Sequence, residues 1–301
     1  MEREATFGTW YGGCSPNSAT RGIVVEIWPS CVEVGKRAAD LVQCELSERS
    51  HPVLAVPTGA TPIHMYKELV ERWAQGQLRL EHAKFFSLDE FVGLEPGQPG
   101  SFSRYMQDCF WGPAGLRESQ YDIPRGWADD LAGECLRYEE EIARAGGIDL
   151  AVVGVGVNGH VAFNEPGSDP GLGTRVVELS EATRRAQAAW FGGLVGRVPR
   201  RAVTVGMRTI MAAQRIVLLA CGRHKAKVVC KMLLEPPNGQ LPASLLRLHP
   251  DLTVLLDDEA ACLLWPKEFR VGPRSVGVGL LAGGCPERPC GEGEAEGANQ
   301  R

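Results

Sequence analysis

The chain has 301 residues, of which 44% are hydrophobic and 23% are charged, and its formal net charge is -5 at pH 7. This length and composition suit one large α/β domain with a full core. The net negative charge excludes the broad basic surface that nucleic acid or an anionic membrane would require, so we expect any phosphate to be bound locally.

The N-terminal sequence MEREATFGTWYGG lacks the apolar stretch of roughly 7–15 residues that a signal peptide contains. No apolar run reaches the roughly 18 residues of a membrane span. We therefore predict a soluble, cytoplasmic protein with neither a membrane nor a nucleic acid as partner. The 10 cysteines include no CxxC pair and no Cys/His cluster, so we predict no metal site.

Helical patterns alternate with apolar runs that suit strands buried on both faces. In chain order we predict helix 31–46, strand 53–56, helix 61–75, strand 85–88, helix 130–144, strand 150–155, helix 181–191, strand 202–205, strand 216–220, helix 226–234 and strand 252–256. This alternation predicts an α/β fold, with a doubly wound, mostly parallel, Rossmann-like sheet and helices on both faces.

Residues 1–270 are predicted to form a single domain. The segment 271–301 is rich in Gly, Pro and Glu without helical or strand periodicity, which predicts a disordered C-terminal tail. In an open parallel sheet, ligands bind beyond the carboxyl ends of the strands. Functional residues should therefore follow strands directly.

The first such segment is PTGATP at 57–62, after the strand at 53–56. Gly59 allows a tight turn, Thr61 is a natural N-cap, and Pro62 suits the first helical position. The N-terminus of the following helix would then offer free N–H groups to an anion. An ordinary strand-to-helix turn has the same features, so this segment alone leaves both interpretations open.

Two adjacent carboxylates, Asp89 and Glu90, follow the strand at 85–88. Adjacent side chains on an extended segment point to opposite sides, so one can face a ligand while the other holds the loop. Asp89 is the candidate base. Taken alone, such a pair is more typical of solvated loop residues or of a helix cap.

The most informative segment is IDLAVVGVGVNGHVAFNEPGS at 148–168. A histidine titrates near neutral pH, and a carboxylate hydrogen-bonded to one ring nitrogen leaves the other nitrogen free for proton transfer. We therefore predict an acid–base relay of His160 and Glu165, with Asn158 beside it.

The glycines of this segment also match G-x-G-x-x-G. However, His and Asn stand where a small-residue helix should begin, and no acidic ribose partner is evident about 20 residues on. We therefore predict no nicotinamide cofactor.

Together these segments resemble the glucosamine-6-phosphate deaminase/isomerase family, which is grouped with the 6-phosphogluconolactonases. The resemblance spans about residues 53–256 and rests on PTGATP, SLDEFVGL, GVGVNGHVAFNEPGS, AVTVGMRTI, CGRHKA and LPASLLRLHP. It implies conversion of glucosamine 6-phosphate or galactosamine 6-phosphate to a ketose 6-phosphate and ammonia. The partner is thus a small amino sugar phosphate, and no metal or organic cofactor is implied.

The resemblance also implies roles for individual residues. Asp89 matches the base that moves a proton between C1 and C2, and His160, oriented by Glu165, matches the histidine that opens the sugar ring. The implied phosphate-binding residues are Thr58, Gly59, Ala60, Thr61, Ser168, Arg175 and Lys225.

The sequence departs from the family pattern at two positions. Asn158 stands where the glucosamine enzymes usually have aspartate, which resembles the galactosamine-6-phosphate branch and removes a negative charge near His160. Val177 replaces a basic residue two positions after Arg175, so one phosphate contact is in doubt.

Two alternatives stay open. A sugar-phosphate lactone hydrolase would share the fold and the phosphate loop, although Glu165 and Asp89 favour the deaminase. A non-catalytic sugar-phosphate sensor would retain the pocket without turnover. The sequence also leaves open the C4 epimer of the substrate, allosteric regulation and a homo-oligomer.

Overall fold

The computed structural model describes residues 22–264 and the strand Arg274–Gly277. The strands are Gly22–Trp28 (β1), Val53–Val56 (β2), Lys84–Ser87 (β3), Asp89–Phe91 (β4), Tyr121–Asp122 (β5), Leu150–Gly154 (β6), Arg175–Glu178 (β7), Arg201–Thr204 (β8), Arg215–Ala220 (β9), Asp251–Asp257 (β10) and Arg274–Gly277 (β11). The α-helices are Cys31–Glu48 (α1), Ile63–Ala74 (α2), Phe102–Met106 (α3), Leu131–Arg144 (α4), Glu181–Gln187 (α5), Met207–Met211 (α6), Ala226–Leu234 (α7) and Pro242–Leu245 (α8).

Shorter helical segments connect these elements. A π-helical turn covers Gln107–Trp111, and 3-10 segments cover Glu118–Gln120, Ala188–Phe191, Val195–Arg197, Arg223–Lys225 and Leu246–Leu248. Within residues 22–264, no helix is both long and apolar enough to span a membrane.

The larger sheet has the strand order β11-β1-β10-β9-β6-β2-β3-β5. Every neighbouring pair from β1 to β5 is parallel, and only β11 runs antiparallel, beside β1. The predicted mostly parallel sheet is confirmed.

Helices cover both faces of this sheet. Leu54 and Val56 of β2 pack in one core with α1, α2 and α3. Val53 and Ala55, whose side chains point the other way, pack in a second core with α4, α6 and α7. Full burial of a Val or Leu side chain contributes roughly 1.5–3 kcal/mol, so a strand buried on both faces favours the continuous apolar runs seen in the sequence.

A smaller antiparallel sheet has the strand order β4-β8-β7. It contains β8, which the sequence analysis placed in the central parallel sheet, and that placement was wrong. As the middle strand of the small sheet, β8 buries Ala202, Val203 and Thr204 completely. An apolar run therefore reports burial on both faces, but it does not report which sheet the strand joins.

Strand β1 lies beside β10 and was missed by the sequence analysis. Its sequence, GIVVEIW, carries Glu26 in the middle of the apolar run. Glu26 is buried and accepts two hydrogen bonds from the guanidinium of Arg37, at 2.8 and 3.0 Å. This pairing with α1 makes a charged residue acceptable in a buried strand.

Four residues of the predicted tail, Arg274–Gly277, form β11. The rest of the segment 271–301 lies outside the described residues, and for it the prediction of disorder stays a prediction. The same holds for the single domain over 1–270, because residues 1–21 and 265–273 are not described.

Candidate active site

A pocket lies where the carboxyl ends of the neighbouring strands β6, β2 and β3 meet. Thr58 and Gly59 line it after β2, Asp89 after β3 and His160 after β6, while Gln187 reaches it from α5. The sequence-predicted base and the sequence-predicted histidine therefore share one pocket, at the edge of the sheet where ligands of such folds bind.

The loop after β2 turns as the sequence predicts. Gly59 has φ +103°, a backbone conformation that costs glycine nothing and other residues energy. The hydroxyl of Tyr105 donates a 2.6 Å hydrogen bond to the Gly59 carbonyl, which anchors the loop to α3.

Helix α2 begins later than predicted, at Ile63 and not at Thr61. Pro62 occupies the N-cap position, and no side chain caps the helix. The role of Thr61 as N-cap was therefore wrong. Because α2 has no side-chain cap, its first N–H groups are available to an anion.

The adjacent carboxylates Asp89 and Glu90 point to opposite sides, as predicted. The buried Glu90 carboxylate accepts N–H groups of Phe91, Phe102 and Ser103 at 2.8, 3.0 and 2.8 Å. Glu90 thereby fixes the start of α3 against β4, while Asp89 faces the pocket.

Burial dominates the electrostatics of Asp89. It raises the pKa of this carboxyl to about 8, the charge of Glu90 adds to the rise, and a 3.4 Å hydrogen bond from Thr58 opposes it. Packed aromatic rings, including Phe102 and Phe163 with centroids 5.9 Å apart, line this side of the pocket. A carboxyl whose pKa lies near neutral pH can both take and return a proton.

Burial also raises the pKa of Glu90 to about 7, although its three N–H donors oppose the shift.

The imidazole of His160 lies against Gly156. A Cβ added to Gly156 would lie 2.2–2.4 Å from three atoms of the ring. Gly156 thus makes room for the histidine, whereas Gly159 adopts φ +89° beside Leu241.

Glu165 lies beside His160 but does not hydrogen-bond its ring as predicted. The distance from His160 Nδ1 to Glu165 Oε2 is 3.9 Å, longer than a hydrogen bond. The hydroxyl of Thr183 lies nearer, 3.4 Å from Nδ1. The predicted direct carboxylate–imidazole hydrogen bond is absent, and Thr183 of α5 is the nearer polar neighbour of this ring nitrogen.

Asn158 connects the two residues from the other side. Its Nδ2 donates a 2.7 Å hydrogen bond to Glu165 Oε2, and its Oδ1 accepts the backbone N–H of His160 at 3.2 Å. An aspartate here could keep the second contact but would repel Glu165. Burial opposes ionisation of Glu165, yet hydrogen bonds from Thr183 and Asn158 outweigh it and hold the pKa of Glu165 below its ordinary value.

Burial lowers the pKa of His160 to about 4. The carboxylate of Glu165 opposes this shift, and the ammonium of Lys225 reinforces it. The imidazole is therefore neutral near pH 7 and can accept a proton.

Lys225 lies in the 3-10 segment after β9, close enough to influence His160. Burial lowers its pKa, and within residues 22–264 its ammonium has no hydrogen-bond or ion-pair partner. A half-buried cation without a partner is unfavourable, so an anion bound nearby would be stabilised.

Several predicted site residues do not line the pocket: Arg175, Ser168, Ala60, Thr61, Lys225, Asn158 and Glu165. Arg175 pairs with Thr204 across the small sheet, and its Nη1 donates a 2.9 Å hydrogen bond to the side chain of the buried Asn164. Arg175 thus contacts the loop that carries His160 from outside the pocket. Its assignment as a phosphate ligand, like that of Ser168, stays a prediction.

The sequence analysis missed Thr183, Phe102 and Gln187. Thr183 and Gln187 lie on a predicted helix far along the chain, and no motif marks them. Only the packing of α5 over the pocket brings them to His160.

The fold and the site define an α/β protein with a carboxyl group, an imidazole and a tight glycine turn in one pocket at the carboxyl ends of its parallel strands. The sequence profile of the glucosamine-6-phosphate isomerases/6-phosphogluconolactonase family matches residues 31–255. The chain belongs to this family.

Two curated relatives are named glucosamine-6-phosphate deaminase. The protein of Thermoanaerobacter pseudethanolicus is 41% identical over 238 residues, which cover 79% of this chain and 94% of the relative. The protein of Mycolicibacterium smegmatis is 38% identical over 259 residues, which cover 84% and 99%.

Solved structures agree with this membership. A monomeric glucosamine-6-phosphate deaminase superposes with TM-score 0.77 at 38% identity, covering 80% of this chain and 99% of that chain. A 6-phosphogluconolactonase from Thermotoga maritima superposes with TM-score 0.61 at 20% identity, covering 78% and 99%. This second likeness shows the fold alone.

Proposed function

We propose that the protein is an amino sugar phosphate deaminase/isomerase. It converts glucosamine 6-phosphate or galactosamine 6-phosphate, with one water molecule, to a ketose 6-phosphate and ammonia. The observation that carries this proposal is the position of Asp89 and His160 in one pocket, beside the loop at Thr58 and Gly59. The names of the relatives make glucosamine 6-phosphate the first substrate to test.

His160 opens the sugar ring in this scheme. Burial keeps its imidazole neutral near pH 7, so a free ring nitrogen can take the proton of the C1 hydroxyl and deliver it to the ring oxygen. The product is an open-chain aldehyde. Its C2 proton is acidic because the adjacent carbonyl stabilises the negative charge.

Asp89 then transfers a proton from C2 to C1. The ionised carboxylate removes the C2 proton, the substrate's own ammonium group passes a proton to O1 to give an enolamine, and the resulting carboxylic acid returns its proton to C1. The nitrogen is now part of an imine at C2, where water adds and ammonia leaves. The pKa of about 8 for Asp89 makes it a stronger base than an ordinary aspartate and suits it to hold the proton between the two steps.

The loop Thr58–Thr61 and Lys225 would bind the phosphate. The uncapped N-terminus of α2 supplies N–H groups, and the partnerless ammonium of Lys225 supplies a point charge. Phosphate would also offset the cost of burying Lys225.

Turnover assays on three substrates test the proposal. The purified full-length protein is mixed with glucosamine 6-phosphate, galactosamine 6-phosphate or 6-phosphogluconolactone in buffer with EDTA, and ammonia, ketose 6-phosphate and acid are measured. We expect equal amounts of ammonia and ketose 6-phosphate from at least one amino sugar, and neither product with His160→Gln.

Two other outcomes would overturn the proposal. Rapid hydrolysis of the lactone without ammonia from either amino sugar would support the lactone hydrolase. Saturable binding of a sugar phosphate without any turnover would support the sensor.

A further inference from the structure

The Thr183 hydroxyl lies between Glu165 and His160. It is 3.4 Å from Nδ1 of His160 and 3.1 Å from the Ser180 hydroxyl, which in turn lies 3.1 Å from Glu165 Oε1. The direct distance from Nδ1 to Glu165 is 3.9 Å. Thr183 itself is buried, with 2% of its surface exposed. The route from carboxylate to imidazole therefore passes through two hydroxyls.

The protons of this group can be assigned. An ionised carboxylate only accepts hydrogen bonds, whereas a hydroxyl donates one and also accepts. Ser180 must therefore donate to Glu165 and Thr183 to Ser180, so that the Thr183 oxygen is left to accept from His160. This arrangement requires the imidazole proton on Nδ1 and leaves Nε2 with a free lone pair.

Neighbouring contacts are consistent with this assignment. The Ser180 hydroxyl lies 3.1 Å from both Glu165 Oε1 and Thr183 Oγ1, and it can donate to the carboxylate. The charged groups that face His160 are Glu165, Lys225 and, across the pocket, Asp89. Within residues 22–264, no side chain other than Thr183 hydrogen-bonds the His160 ring.

We propose that Thr183 is a positioning residue that transmits the charge and orientation of Glu165 to His160 through its hydroxyl. This rests on the proposed function, because ring opening by His160 needs an unprotonated Nε2. Thr183 does not line the pocket. Its backbone N–H is held by Ser180 Oγ at 3.1 Å, so the residue stays in place when only its hydroxyl is changed.

Nitrogen NMR of the ligand-free, full-length protein tests the link without any turnover. The ¹⁵N shifts of His160, assigned with His160→Gln, should report the Nδ1–H tautomer in the natural protein and in Thr183→Ser. Thr183→Val has a similar shape but no hydroxyl, and it should populate the Nε2–H tautomer. An Nε2–H tautomer in the natural protein would overturn the proposal, whatever the variants do.

Kinetics with glucosamine 6-phosphate provide the second readout. Loss of an orienting partner typically lowers activity about 10–100-fold. We expect such a loss in kcat for Thr183→Val, KM within about threefold, and kcat within about threefold of the natural protein for Thr183→Ser. Equal losses in the Val and Ser variants would indicate packing alone and refute the proposal.

A second variant and one further outcome keep the test of Thr183 separate from the test of the proposed function. If Thr183→Val does not fold, Thr183→Ala serves as the second variant without a hydroxyl. An inactive natural protein whose tautomer still depends on Thr183 would refute the proposed function and leave this link intact.

Discussion

Replacing Asp89 by asparagine should stabilise the protein and abolish its activity. The Asp89 carboxyl is 5% exposed, and burial raises its pKa from 3.8 to about 8. Between these two values the folded protein keeps a proton that the unfolded chain releases. Asp89 therefore reduces stability progressively as pH rises through this window.

The size of the effect follows from the pKa difference. Each unit corresponds to roughly 1.4 kcal/mol. The cost of Asp89 should thus be about 2 kcal/mol at pH 5 and about 4 kcal/mol at pH 7, and it should level off at about 6 kcal/mol above pH 8. Asparagine has nearly the same shape, keeps an oxygen for the Thr58 hydrogen bond and does not titrate.

Urea unfolding at pH 5, 7 and 8.5 measures directly how the free-energy cost of the buried Asp89 carboxyl changes with pH. The gain in unfolding free energy of Asp89→Asn over the natural protein should grow by about 4 kcal/mol from pH 5 to pH 8.5. The matched control is Asp129→Asn, which changes an exposed aspartate and should show almost no pH-dependent gain. A gain for Asp89→Asn that does not change with pH would refute the claim that burial raises its pKa.

Three more predictions concern turnover of glucosamine 6-phosphate. First, kcat/KM should rise with pH and level off above about pH 8, because free Asp89 must lose its proton to act; a flat profile from pH 6 to 9 would contradict its role as base. Second, Gly156→Ala should lower kcat by about 100-fold, since its Cβ would displace the His160 ring; full activity in a folded variant would show that the ring position does not matter. Third, Lys225→Met should raise KM about 10–100-fold through loss of a charged phosphate contact, whereas Lys227→Met, at an exposed neighbour, should leave KM unchanged.

Local sequence signals were enough to predict most elements and the main site residues. Near-continuous apolar runs located the central strands β2, β3, β6, β9 and β10, because each is buried on both faces. The rule that ligands bind at the carboxyl ends of parallel strands then singled out Asp89 and His160, the family resemblance supplied Thr58, and all three line the pocket.

Other features depended on contacts between distant parts of the chain. The apolar run of β8 was recognised, but only strand pairing shows that it joins the small antiparallel sheet. Strand β1 was hidden by Glu26, whose burial depends on Arg37 of α1. A local pattern records how buried a segment is, and it does not record its neighbours.

Some chemical properties of the site could be predicted from the sequence, and others depended on the tertiary structure. Residue types alone indicated a base and a histidine, because few side chains can move protons near neutral pH. The pKa of Asp89, the gap between Glu165 and His160, and the place of Thr183 within that gap were decided by the tertiary structure. Burial and distance set these properties, and both arise only when α5 and the small sheet pack over the ends of the parallel strands.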